Sequence, residues 1–88
     1  MKDKLHPNWE IEKESSHHRL VRKFDFDTYM EAVKFLNSVA EIAEEIDHHP
    51  DMLLKWASLD ISTWTHSEKK ITDLDYELAT RIDLLAAS

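Results

Sequence analysis

The segment that decides the fold comprises residues 28–50 and reads TYMEAVKFLNSVAEIAEEIDHHP. Its apolar residues recur at steps of three and four, the spacing of one face of an α-helix. They are Tyr29, Ala32, Val33, Leu36, Val39, Ala40, Ala43 and Ile46. Asp27 or Thr28 can cap the start, and Glu31 falls in the first turn, where the helix dipole favours acids. Pro50 disfavours helical backbone in the residue before it, so the helix must end in the preceding Asp-His-His.

Strand patterns lie on both sides of this helix. Residues 8–13 and 17–26 alternate between apolar and polar side chains, which is the two-residue period of a β-strand, and the two runs are close enough to form a hairpin. Residues 52–56 and 59–65 read as two further strands. One face of the last strand carries Leu59, Ile61, Thr63 and Thr65.

A second helix is predicted from Thr72, which can act as its N-cap, with Asp75 three residues later as in a capping box. Its predicted apolar stripe consists of Leu74, Leu78, Ala79, Ile82 and Leu85. The order is therefore β-β-α-β-β-α. Pairs of strands followed by helices favour an α+β fold, a four-stranded antiparallel sheet with two helices packed on one face. Residues 1–88 are expected to form a single domain.

Composition excludes several functional classes. A formal net charge of −7 and scattered basic residues argue against direct nucleic-acid binding. The absence of cysteine excludes disulfides and thiolate chemistry, and the absence of glycine excludes Gly-rich phosphate loops. Turns that usually need glycine must instead use Asn, Asp, Ser or Lys. No apolar run is long enough for a membrane span or a signal core, so we expect a cytoplasmic protein.

The chemically dense segment begins at Glu44 and continues through His48, His49 and Pro50. Histidine can give or take a proton near neutral pH, because its unperturbed pKa is about 6.5. Two histidines at a helix end stiffened by proline would lie on a rigid corner. His66, at a strand end, could converge on the same cleft, and nearby carboxylates could orient an imidazole and select its tautomer.

The spacing of these residues resembles the signature of the pterin-4a-carbinolamine dehydratases. In that signature an acid precedes His-His-Pro, and an aromatic residue, a histidine and an aspartate follow at set distances. The matching residues here are Glu44, His48, His49, Pro50, Trp56, His66 and Asp75. Asn8-Trp9 and Phe24-Asp25-Phe26 also resemble family features, so the resemblance covers about residues 7 to 87. The loop at residues 67–71 lacks the glycine that is frequent in the family, and we expect a changed turn there with the site retained.

The resemblance implies a 4a-hydroxytetrahydrobiopterin dehydratase, a hydro-lyase that converts a 4a-hydroxytetrahydropterin into the quinonoid dihydropterin in tetrahydrobiopterin recycling. It implies no cofactor and no metal, a pterin as partner, and a homodimer or homotetramer. His48 and His66 are the expected proton-transfer residues, and His49 binds the pterin or shares the acid–base work. Glu44 and Asp75 would orient and tune imidazoles. The expected substrate contacts are Trp9, Pro50 and Thr65.

Simpler interpretations stay open for single residues. His48 and His49 can cap the helix C-terminus, where the dipole favours cations. Glu45 is nearly as plausible as Glu44 by periodicity. Trp9 can pack in the core instead of covering the substrate.

The remaining tryptophans and two other histidines are expected to have structural positions and no catalytic role. Trp56 is expected to pack rather than to react. Trp64 should be exposed on an isolated sheet, which suggests a subunit interface. His17 and His18 face opposite sides of one strand and cannot act together, so they receive no role.

Two other functions compete with the dehydratase. A metal site could use His48, His49, His66 and a carboxylate, with an open position for chemistry. A protein-binding role is the second, because members of the resembled family also act as dimerisation cofactors of a homeodomain transcription factor, as a coactivator module. An acidic surface and an exposed Trp64 suit such contacts.

Overall fold

The computed structural model describes residues 5–87. Its elements follow the predicted order, which confirms the α+β class. They are β1 (Glu10–Lys13), β2 (His18–Asp25), α1 (Tyr29–Ile46), β3 (Asp51–Leu54), β4 (Ser58–Thr63) and α2 (Asp73–Ala87). The strands form one antiparallel sheet in the order β1-β2-β4-β3. The central pair therefore joins β2, which precedes α1, to β4, which precedes α2.

Both ends of α1 are closed by local hydrogen bonds. Thr28 is the N-cap, and it forms a complete capping box in which its side chain accepts from the Glu31 N–H and the Glu31 carboxylate accepts from the Thr28 N–H. At the other end Asp47 adopts the left-handed region with φ 54°, and its N–H donates to the Ala43 carbonyl. The helix thus ends at Ile46, four residues before Pro50, and Asp47 forms the turn that follows it.

The two described residues with positive φ are Asp47 and Lys69, at 54° and 56°. Left-handed backbone is normally the place of glycine, because a Cβ is disfavoured there. Asp and Lys therefore take over glycine positions in this chain, as its composition predicted. Lys69 lies in the loop after His66, where the changed turn was expected.

One face of the sheet packs against both helices. Leu20 and Phe24 of β2 and Leu59 and Ile61 of β4 all point to this face, as the alternation predicted. The core cluster joins them to both helices and to the segment before β1; it contains Trp9, Leu20, Phe24, Val39, Leu59, Ile61, Tyr76, Leu78, Ala79 and Ile82. The helices therefore lie on the same side of the sheet.

Three packing predictions were wrong. Tyr29, the first residue of the predicted apolar face of α1, is 47% exposed. Leu74 is 42% exposed, because the face of α2 that packs on the sheet includes Asp75, Leu78 and Ile82 and does not include Leu74. Trp56 is 79% exposed, because β3 ends at Leu54 and Trp56 lies in the turn of the β3–β4 hairpin rather than on a strand face. No helix within residues 5–87 is long and apolar enough to cross a bilayer.

Candidate active site

Asp75 is the buried centre of the site. It lies in the first turn of α2 and has none of its surface exposed. Its Oδ1 accepts a hydrogen bond from Thr63 Oγ1 at 2.6 Å, and its Oδ2 accepts from Thr65 Oγ1 at 2.9 Å and from the Thr72 N–H at 2.8 Å. The two threonines face the helices from the end of β4 because they share the parity of Leu59 and Ile61. The strand end and the helix start thus converge on one carboxylate.

A short chain of hydroxyls supports this arrangement. Thr65 Oγ1 and Thr72 Oγ1 lie 2.6 Å apart. A hydroxyl has a single proton to donate, and that of Thr65 is directed at Asp75, so the Thr72 hydroxyl donates to Thr65. The N-cap residue of α2 therefore contributes both its N–H and, through Thr65, its hydroxyl.

The carboxylate of Asp75 is held in its ionised form. Burial by itself would raise the pKa of Asp75, because a charge loses hydration in the protein interior. The hydrogen bonds that it accepts act against this effect, led by those from Thr63 and the Thr72 N–H, and together they hold the pKa of Asp75 below its ordinary value of 3.8. Asp75 is therefore a buried anion at neutral pH.

His48 is the partner of this anion. The left-handed turn at Asp47 directs the chain back, and the His48 N–H donates to the Ala43 carbonyl at 3.0 Å. The His48 side chain is 11% exposed, and its Nε2 lies 2.6 Å from Asp75 Oδ1. An ionised carboxylate only accepts hydrogen bonds, so Nε2 carries the proton of this bond. Nδ1 is then the ring nitrogen left to take up or release a proton.

His49 forms a second carboxylate pair at the surface. Its Nε2 lies 2.5 Å from Glu44 Oε2, and the two side chains are 54% and 76% exposed. Glu45, the alternative to Glu44, instead pairs with Arg81 at 2.6 Å. The structure therefore decides between the two acids: Glu44 is the one that contacts a histidine.

His66 has a tryptophan as its aromatic neighbour. It follows Thr65, and the alternation of the extended chain turns its side chain away from the one that binds Asp75. Its ring lies against Trp64, with centroids 4.0 Å apart and planes at 42°. Within residues 5–87 no hydrogen bond or ring contact joins His66 to His48 or His49. The expected convergence of three imidazoles is thus not a direct contact, and the role of His66 stays a prediction.

The predicted substrate contacts lie in different environments. Trp9 is buried in the core, where its Nε1–H donates to Asp83 Oδ1 at 2.7 Å, so of its two predicted positions the core is the one observed. Pro50 is partly buried between His49 and β3. Thr65 is buried and donates to Asp75. Their roles toward a substrate stay predictions.

Thr63 is the site residue that sequence reasoning missed. It is 1% exposed and donates the shorter of the two threonine hydrogen bonds to Asp75. The available signal was a polar residue on the apolar face of β4, two residues before Thr65. A hydroxyl at such a position needs a buried partner, and the pattern alone does not identify it.

Two other features of residues 5–87 bear on the competing functions. Among residues 5–87, no three side chains of metal-ligating type come together closely enough to hold a metal ion, so the metal interpretation finds no ligand set there. A groove of about 710 Å³ crosses the outer face of the sheet, but its lining includes no histidine. Its walls carry charged side chains of both signs, among them Glu10, Arg19, Lys23, Asp51 and Asp60. The candidate histidines therefore lie outside this groove.

The matching family model and the matching curated sequences carry the same family description. A family model described as pterin 4 alpha carbinolamine dehydratase matches residues 1–85. A Saccharophagus degradans protein, provisionally named a pterin-4-alpha-carbinolamine dehydratase, is 38% identical over 79 residues, which are 90% of this chain and 70% of the relative. A Rubrobacter xylanophilus protein of the same provisional name is 39% identical over 79 residues, 90% of this chain and 71% of the relative.

Solved structures show the same fold. A Brucella melitensis protein described as a transcriptional coactivator/pterin dehydratase aligns with a TM-score of 0.81 and 30% identity, covering 91% of this chain and 83% of that one. A pterin dehydratase-like protein identified as a RuBisCO assembly factor in the alpha-carboxysome aligns with a TM-score of 0.76 and 24% identity over 94% of each chain. The second likeness supports the fold alone.

Proposed function

Because this chain belongs to the pterin 4 alpha carbinolamine dehydratase family, we propose that it removes water from a 4a-hydroxytetrahydropterin. The product is the quinonoid dihydropterin, and the enzyme class is a hydro-lyase that serves tetrahydrobiopterin recycling. The observation that carries the proposal is the His48–Asp75 pair, in which a buried anion orients one imidazole. The reaction moves protons and breaks one C–O bond, so it calls for an acid and a base.

The chemical step balances with histidine chemistry alone. The bond between C4a and the hydroxyl oxygen breaks, and the departing oxygen takes a proton from a protein acid to leave as water. A protein base removes the proton on N5, and the electrons of that nitrogen form the new C=N bond. The proton gained by the base replaces the one given by the acid, so the enzyme returns to its starting state overall.

His48 is proposed as one proton-transfer residue. The carboxylate of Asp75 fixes the proton on Nε2, so Nδ1 is unprotonated in the neutral ring and can act as a base. When Nδ1 holds a proton, the adjacent anion stabilises the imidazolium, and the same atom can act as an acid. His66 is proposed as the second proton-transfer residue, and His49, held by Glu44, as a pterin-binding residue at the surface.

A stopped-flow assay on a freshly generated 4a-hydroxytetrahydropterin tests this function. The wild-type chain is expected to accelerate dehydration, and His48→Gln should lower kcat by roughly 10²- to 10⁴-fold, the usual contribution of a positioned acid or base. His18→Gln, an exposed histidine at the start of β2, is the matched control and should behave as wild type. Equal rates for His48→Gln and wild type would refute the assignment of His48, and no acceleration by the wild type would refute the enzyme.

A protein-binding role is the second candidate, and exposed apolar side chains favour it. Trp56 is 79% exposed, and Leu53 on the edge strand β3 and Leu84 on α2 are 57% and 69% exposed. The relative from Brucella melitensis is itself described as a coactivator as well as a dehydratase. Affinity capture from the native source, set beside the dehydration assay, separates the two roles, since Trp56→Ser should weaken capture only if Trp56 contacts a partner.

Assembly and location belong to the same proposal. A homodimer or homotetramer is proposed from the family and from the small core of an 88-residue chain. Light scattering during size-exclusion chromatography measures the mass directly, and a monomeric mass at micromolar concentration would contradict it. A cytoplasmic location is also proposed, and cell fractionation of the source tests it.

A further inference from the structure

Three aromatic rings contact one another near His66: the ring of His17 stacks on Trp64, and the ring of His66 meets Trp64 at a tilt. The rings of His17 and Trp64 lie face to face, with centroids 3.5 Å apart and planes at 15°. Trp64 also contacts the His66 ring at 4.0 Å. The dehydratase reaction as described above uses neither His17 nor Trp64. We call His17, Trp64 and His66 the ring stack.

We propose that His17 and Trp64 are positioning residues for His66, which hold its imidazole in one orientation for proton transfer. This inference rests on the proposed function. It goes beyond that function by giving a role to two residues whose side chains, within residues 5–87, form no hydrogen bond or ring contact with the His48–Asp75 pair. The ring stack would act on the rate of the chemical step through the orientation of one ring.

The backbone beside His66 is anchored independently of the stack. The Thr65 N–H donates to the Lys70 carbonyl at 2.9 Å, and the Thr65 side chain donates to Asp75. The Glu68 N–H donates back to the Thr65 carbonyl at 3.1 Å. The turn after His66 is therefore fixed, and the side-chain torsions of His66 are the freedom that remains.

An exposed imidazole on a fixed turn would otherwise sample several rotamers, and selecting one costs conformational entropy. Contact with the face of Trp64 selects one orientation and contributes the favourable energy of an aromatic pair. When His66 is protonated, the indole also attracts the cation, so the contact persists through the proton-transfer cycle. The ring stack can therefore hold the His66 imidazole in one orientation in both of its protonation states.

The outer ring of the stack is itself held by the β1–β2 turn. The His17 carbonyl accepts from the Glu14 N–H at 2.8 Å, and His17 Nδ1 lies 3.0 Å from Ser16 Oγ. The ring of His17 is therefore held by contacts other than the one with Trp64. Through the His17–Trp64 contact, the turn between β1 and β2 stabilises the side chain of Trp64, which follows β4.

NMR of the histidine Cε1–H groups, together with steady-state kinetics, tests the proposal. Protons above an indole face are shifted upfield, so the signals of both His17 and His66 should be upfield in the wild type. Trp64→Leu should remove both upfield shifts and lower kcat by roughly 2- to 10-fold with KM nearly unchanged, the size of one aromatic pair interaction. Trp64→Phe should restore part of both effects.

Two further variants guard against a folding effect. His17→Gln leaves Trp64 and the core intact, and it should lower kcat by a smaller factor while the His66 signal moves only partly downfield. His18→Gln, its exposed neighbour in sequence, should change neither the His66 signal nor kcat. Circular dichroism melts of all variants show whether the fold is retained.

The possible failures are distinguishable. Unchanged histidine signals in Trp64→Leu would show that the stack does not form, and this would overturn the inference. Lost shifts with an unchanged kcat, in a wild-type enzyme that is active, would overturn the positioning role alone. A wild-type chain without dehydratase activity would overturn the proposed function and this role together.

Discussion

Two carboxylate–imidazole pairs lie at the end of α1 among the described residues, with similar distances between their paired atoms and very different burial. His48 and Asp75 meet at 2.6 Å with an acid that is fully buried. His49 and Glu44 meet at 2.5 Å with both partners more than half exposed. His48 and His49 are adjacent in sequence, yet His48 pairs in the interior and His49 pairs at the surface. Because the two pairs have similar distances and different burial, comparing them isolates the effect of burial.

Burial changes what a pair of this kind can do. At the surface, water screens the charges and both side chains lose entropy when they pair, so such contacts contribute little to stability. In the interior a carboxylate must be satisfied by hydrogen bonds or its charge is strongly disfavoured. Asp75 meets that condition through two threonines and a helix N–H. The His48–Asp75 pair, which we call the inner pair, therefore holds a buried charge in a fixed position. The His49–Glu44 pair, which we call the outer pair, is a solvent-exposed contact that can form and break at little cost.

Replacing the inner acid should have the largest effect. Asp75→Asn removes the charge, places an amide among groups that donate hydrogen bonds, and frees the tautomer of His48. We expect kcat to fall by roughly 10²-fold or more and the free energy of unfolding to fall by about 2 kcal/mol or more. Stopped-flow kinetics and urea unfolding measure the two. Asp73→Asn, an exposed acid in the same helical turn, is the matched control, and equal losses in both variants would contradict the comparison.

Acid should remove the stability contributed by the inner pair. The folded-state pKa of Asp75 is lowered from 3.8, so the ionised carboxylate stabilises the fold at every pH above that value. This contribution declines as the pH falls below the unfolded value toward the folded one. The difference in unfolding free energy between wild type and Asp75→Asn should therefore be constant from pH 7 to about 5 and decrease below about 4. A difference that grew on acidification would contradict the direction of the pKa shift.

The hydroxyl that sequence reasoning missed should have an intermediate effect. Thr63→Val keeps the shape of the side chain and deletes the donor to Asp75 Oδ1. We expect a loss of about 1.5–3 kcal/mol in unfolding free energy, the range for a hydrogen bond to a charged group. Thr80→Val is the control, since its hydroxyl donates to the neutral Tyr76 carbonyl and should cost about 1 kcal/mol. Similar losses in both would show that the acceptor charge does not matter.

The outer pair should have the smallest effect on stability. Glu44→Gln keeps the size of the side chain and removes its charge, and we expect a change within about 0.5 kcal/mol of unfolding free energy. Glu45→Gln, which interrupts the neighbouring pair with Arg81, should give a change of the same size. Thermal unfolding at low and high salt checks both. A loss above about 1 kcal/mol for Glu44 alone would show that the outer pair resembles the inner one.

Much of the fold was predictable because its signals are local. The apolar spacing of α1, its Thr28 cap and the alternation of β2 and β4 depend on residues a few positions apart, and each was confirmed. The signature residues were also found by spacing. Predictions failed for Tyr29, Trp56 and Leu74, because β3 ends before Trp56 and the two helices leave Tyr29 and Leu74 exposed. Such errors arise because strand ends and helix rotation are set by contacts with other elements.

Sequence by itself determined the order of the elements, the faces that β2 and β4 bury, the exclusion of glycine- and cysteine-dependent chemistry, and the family. Tertiary structure alone decided that Asp75 is a buried anion, that Thr63 holds it, and that His66 lies against Trp64 instead of meeting His48. The physical reason is range. Periodicity is a property of neighbouring residues, whereas His48 and Asp75 are 27 positions apart, and burial or a hydrogen bond exists only once the fold brings such residues together.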